Sequence, residues 1–107
     1  MDTFQYFDKP IVVEIIDIFI DEYPERMDKI SQAIGQKNFS SLKFDAHSLK
    51  GVIANFMAPQ AHELAKILEM KGAENDSTDL DENFENLKKS CDLLIEDLKE
   101  LRKFFAD

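Results

Sequence analysis

An all-α chain, folded as an antiparallel up-down four-helix bundle with a short additional N-terminal helix, is predicted by three observations on this sequence. Apolar residues recur at three- and four-residue steps along the long segments, and no segment alternates apolar and polar residues as a half-buried strand does. Only three glycines and three prolines interrupt 107 residues. Charged side chains are spread among leucine, isoleucine and phenylalanine instead of forming a tail, which is the composition of a compact helical protein. A chain of this length makes one domain, 1–107, with a core that needs no disulfide or metal staple.

Each element has its own signals. Asp8 caps a first helix with Pro10 in its opening turn; Ile11, Ile15 and Phe19 lie on one side, and Glu14, Asp17 and Asp21 on another. Pro24 cannot donate to the helix ladder and is read as opening a second helix, with Met27, Ile30 and Ile34, that ends near Gly35. The first helix would then be a lid on the bundle. Capping residues from Asn38 to Ser41 start a third helix that runs to about Met57, with Leu42, Leu49, Val52, Ile53 and Phe56 inward. Pro59 opens a fourth, carrying Leu64, Ile67 and Leu68, with Gly72 as a left-handed stop before a loop over Ala73 to Thr78. In the last helix Leu80, Phe84, Leu87, Cys91, Leu94, Leu98, Leu101 and Phe105 alternate steps of four and three. Cys91 falls in that seam, so it reads as a small core residue and not as a nucleophile.

Composition also narrows the partners. Asp and Glu outnumber Lys and Arg by 22 to 13, for a formal charge of −9, and such a surface repels nucleic-acid phosphates and anionic lipid headgroups. One cysteine cannot form an internal disulfide, and no leader or long uncharged apolar run is present. A cytoplasmic protein, or a cytosolic piece of a larger one, is expected, as a monomer. The methionine close to the first helix favours a free-standing protein.

The stretch AHSLKGVIANF, Ala46 to Phe56, carries the chemistry. At about 100° per residue, His47 falls nearly opposite the apolar arc of its helix, on a face shared with Lys43, Lys50, Gly51 and Ala54, with Phe44 at the edge. A lone surface histidine is usually inert, but these neighbours are unusual. Gly51, one turn after His47, costs about 1 kcal/mol relative to alanine in mid-helix, and what it supplies is room beside the imidazole. Lys50 places positive charge near any anion on the ring. Counting outward from a turn at Ala58, His47 and Glu69 are each eleven positions away, hence level in antiparallel helices. A carboxylate accepting the Nδ1 proton would leave Nε2 unprotonated and nucleophilic, whereas the bland reading of Glu69 is one more solvated acid.

These residues resemble the signature of the histidine phosphotransfer (HPt) domain family, and the resemblance covers the whole chain. His47, Lys50 and Gly51 match its His-x-x-Lys-Gly motif, which lies on the second helix of a four-helix bundle, and DIFIDEYPERMDKI is similar to its acidic, aromatic first helix. Glu69, in LEMKG, matches the glutamate that hydrogen-bonds the histidine in the related phosphorylatable domain of chemotaxis kinases. The chain departs from many relatives at Met57, where a small residue, often glycine, is common.

The resemblance implies a phosphocarrier without kinase activity: His47 accepts a phosphoryl group from the aspartyl phosphate of a receiver domain and passes it to another. Partners would be response-regulator receivers and a hybrid histidine kinase. The receiver would bring Mg2+, its own lysine and an acidic pocket, and this chain would need no cofactor of its own. So sparse a site suits a loose, in-line transfer that requires positioning and charge neutralisation. The docking face would comprise Lys43, Phe44, Ala46, Gly51, Ala54 and Asn55 around His47.

Three other readings compete. His62, the second histidine, would need His47 and nearby acids to converge on one zinc ion, which the spacing does not provide. A non-catalytic interaction module could use the last helix for dimerisation, but the same seam is what a bundle core requires. The phosphorylatable domain of a chemotaxis-type kinase would also carry Glu69, although no kinase or linker accompanies this bundle.

Overall fold

The computed structural model describes residues 9–106, with side chains described from 11 to 104. Four α-helices follow one another: α1 (Lys9–Gly35), α2 (Phe39–Ile53), α3 (Pro59–Glu74) and α4 (Leu80–Ala106), with one 3-10 turn, Ala54–Phe56, after α2. Short connections make successive helices antiparallel, and α1 closes the ring by packing on both α2 and α4. Among the described residues there is no strand. The capping role of Asp8 lies outside the described residues, and the place of Phe105 in the apolar seam lies outside the described side chains.

One expectation is corrected at the start of the chain. There is no separate leading helix among the described residues, because α1 runs through Pro24 without interruption. Proline removes the bond to the carbonyl one turn earlier and costs about 3 kcal/mol in a helix interior. Against that, Val12, Ile16, Phe19, Tyr23, Met27, Ile30 and Ala33 form one buried stripe spanning the proline, and each large side chain contributes about 1.5–3 kcal/mol on burial. Packing therefore outweighs the local defect. At the start of the stripe the inward positions differ by one residue: Ile11 is exposed and Ile15 half-buried, while Val12 and Ile16 are inside; Phe19 is buried as expected. Since Pro24 itself is exposed, Pro24→Ala is expected to raise stability by about 2 kcal/mol, read as a higher midpoint in urea; a lower midpoint would show that α1 needs the proline.

The core continues through Leu42, Ala46, Leu49 and Ile53 of α2, Ala61, Ala65 and Leu68 of α3, and Leu80, Leu87, Cys91, Leu94 and Leu98 of α4. Burial pushes the Cys91 thiol up to about 11, so it is a packing residue at neutral pH. Phe19 anchors the centre, its ring 5.9 Å from that of Tyr23 and 5.0 Å from that of Phe56.

Helix ends follow local chemistry. Asn38 caps α2 by accepting from the Ser41 amide at 3.2 Å, and Pro59 stands in the first turn of α3. No glycine is left-handed; Lys37, Met57, Asn75 and Asp79 take the positive φ values at the turns. Asn75, not Gly72, is the left-handed stop of α3. Met57 has φ 51° and ψ 49°, which gives a physical reason for glycine to be favoured at this position.

Helices α1 and α4 are 27 residues each, against 15 and 16 for α2 and α3. The end of α1 and the start of α4 meet where Gly35 and Leu80 share a cleft, and short connections start α2 and end α3 nearby, so the excess length overhangs the α2–α3 hairpin at the other end. Arg102 ties the overhang together by donating to both carboxylate oxygens of Asp17, at 2.5 and 3.3 Å. The molecule is elongated accordingly, 45 × 25 × 19 Å.

Candidate functional site

The site stands on α2 and α3, the most intimately packed helix pair. Leu42, Ala46, Leu49 and Ile53 turn inward at four- and three-residue steps, which forces His47 outward. Its side chain is 67% exposed, whereas Glu69 and Lys50 beside it are only 18% and 21% exposed. The geometry is thus an open imidazole on covered supports.

His47 Nδ1 lies 2.9 Å from Glu69 Oε2, the neighbour the hairpin count identifies. Lys50 Nζ is 2.6 Å from the other oxygen, Oε1. One carboxylate therefore joins the histidine and the lysine. The Lys50 ammonium, first, and the His47 contact hold the Glu69 carboxyl below the usual carboxylate range, outweighing partial desolvation. An ionised carboxylate only accepts hydrogen bonds, so Nδ1 of a neutral ring must carry the proton, and the lone pair is on Nε2. Chemically, this is an exposed nitrogen nucleophile with a fixed tautomer and an ammonium one turn away.

Around it the surface is cleared. A Cβ added at Gly51 would meet nothing within 4 Å, and Ala54 and Asn55 are exposed on the 3-10 turn. Lys43 is exposed, and Phe44, at 73% exposure, borders a shallow groove between α1 and α2 lined by Glu22, Arg26, Lys29 and Ser48. Ala46 is a correction. It is fully buried and belongs to the core, so it cannot contact a partner; the 42, 46, 49, 53 spacing carried that signal.

Two features escaped sequence reasoning. Arg26 Nη1 donates to Ser48 Oγ at 2.7 Å, pinning α1 to α2 at the residue after His47; nothing in the local pattern announces it. Gly72 is buried inside α3 instead of ending it. His62 is half-buried, and among the described residues no three His, Cys, Asp or Glu side chains are grouped to hold a metal. Nor is any described helix long and apolar enough to cross a membrane.

A family model described as Hpt domain matches residues 14–104 of the chain. No curated protein and no solved structure matches it significantly.

Proposed function

Because the chain belongs to the Hpt domain family, we propose that it is a cytoplasmic phosphocarrier of a two-component phosphorelay, taking a phosphoryl group onto His47 from one receiver aspartate and giving it to another. The observation that carries this reading is the hydrogen bond between His47 Nδ1 and Glu69. It directs the free lone pair of Nε2 to solvent, where a partner can approach.

In the transfer, the Nε2 lone pair forms a bond to phosphorus as the P–O bond of the aspartyl phosphate breaks and the carboxylate leaves with its electron pair. The ring keeps its Nδ1 proton and so gains positive charge, which Glu69 faces at 2.9 Å. Lys50, one turn from His47 and paired with Glu69, would offset phosphoryl charge, and the receiver would supply Mg2+ and the acceptor or donor carboxylate. Reversal of the same steps passes the group on. Alone among the four helices, α2 carries more bases than acids, Lys43 and Lys50 against Asp45, which suits an acidic partner pocket. Response-regulator receivers and a hybrid histidine kinase are the partners this reading implies.

Incubation with a phosphorylated receiver domain is expected to place an acid-labile, alkali-stable phosphoryl group on the protein, and His47→Gln is expected to remove all of it. The Glu69 hydrogen bond also fits the phosphorylatable domain of a chemotaxis-type kinase, so an isolated kinase domain with ATP is the second donor to try. Labelling by that donor alone would favour the chemotaxis reading. Labelling by neither would refute phosphotransfer at His47.

A further inference from the structure

The three glycines of this chain meet their surroundings in different ways, and one of them is wedged. A Cβ built on Gly72 would stand 2.6 Å from the backbone nitrogen of Lys43, and 2.9 Å from both Lys43 Cα and the Phe39 carbonyl oxygen. All three atoms are backbone of α2 and cannot swing aside as a side-chain tip can. At Gly51 and Gly35 the same construction meets nothing within 4 Å. Gly72 is helical, so conformational freedom is not what the position demands. Close approach of two helices is.

We propose that Gly72 is a positioning residue for His47, setting the α2–α3 separation at which Glu69 reaches Nδ1; the inference rests on the phosphotransfer reading. Gly72 follows Glu69 by one helical turn on α3, and Lys43 precedes His47 by one turn on α2. The wedge and the hydrogen bond are therefore consecutive rungs of one antiparallel pair. Glutamate is the longest carboxylate side chain available, so the reach cannot be extended from the Glu69 side. An alanine at 72 is 0.8 Å short of the 3.4 Å of ordinary contact. If that shift is carried one turn along the helices, the 2.9 Å bond opens to about 3.7 Å, beyond hydrogen-bond range. The imidazole then loses the partner that keeps its proton on Nδ1.

The test is a nitrogen NMR spectrum of the neutral His47 ring, together with phosphotransfer rates for Gly72→Ala, Glu69→Ala and the double variant. Wild type is expected to show the Nδ1-protonated tautomer, and Gly72→Ala a mixture of tautomers with transfer slowed about tenfold. Because the glycine acts through Glu69, adding Gly72→Ala to Glu69→Ala is expected to cost nothing more. A wild-type tautomer in Gly72→Ala, or losses that multiply in the double variant, would overturn the proposal. Should Gly72→Ala not fold, Glu69→Asp withdraws the carboxylate by one methylene without touching the helix contact. It is expected to shift the tautomer in the same way, and an unchanged tautomer there would sink the reach argument. The tautomer measurement needs no phosphoryl donor. A protein with the expected tautomers that no donor labels would reject the phosphotransfer reading and leave the helix-spacing role standing.

Discussion

Phe19→Ala is expected to destabilise the bundle by about 3–5 kcal/mol, the cost of deleting a buried phenylalanine side chain and leaving a cavity. Phe19 is 2% exposed and meets both Tyr23 on its own helix and Phe56 in the turn after α2. Losing it therefore loosens the seating of α2's C-terminal end as well as removing apolar burial. For a domain of this size the thermal midpoint should fall by on the order of 15 °C or more. Phe44→Ala makes the same chemical change at a side chain 73% exposed and should alter stability by no more than about 0.5 kcal/mol. Calorimetry on the pair checks both statements, and a midpoint for Phe19→Ala within about 5 °C of wild type would contradict the packing described.

Gly51→Gln is expected to move stability and transfer in opposite directions. The added side chain enters open space, and replacing a glycine in the last turn of α2 should stabilise the helix by a part of the about 1 kcal/mol that an interior glycine costs. The same side chain would stand one turn from His47, where a receiver must approach closely. Transfer is expected to slow by at least about tenfold, since small displacements of reacting groups are costly. Stopped-flow transfer and thermal melts on one preparation test the pair of outcomes. Full transfer rates in this variant would refute the clearance role of the glycine, whatever the melts show.

Much of this was legible because helical periodicity is a strong physical constraint. Leu80, Leu87, Cys91, Leu94 and Leu98 had to share a face, and they share the core. The hairpin count brought Glu69 to His47 because short turns fix the register of antiparallel helices. What could not be read were effects decided between elements. Pro24 looks like a boundary locally, and only the stripe on both sides of it keeps α1 continuous. Ala46 is too small to declare a side by hydrophobicity, although its spacing from Leu42 and Leu49 did. Gly72 sits where glycine often stops a helix, and its cause lies on another helix, in the backbone of Phe39 and Lys43. The pairs Arg26 with Ser48 and Arg102 with Asp17 join residues 22 and 85 positions apart, which no local pattern encodes.

The overhang of α1 and α4 has a consequence for attachment. Lys9 and Ala106 both emerge at that end, while the Arg26–Ser48 bond sets His47 level with the residue after Arg26. At 1.5 Å per residue the level of His47 is then about 27 Å along the helix axis from the start of α1. Polypeptide joined at either end would leave from one pole, clear of the histidine, like a handle. A partner tethered there gains effective concentration from its linker without the linker crossing the surface it must reach.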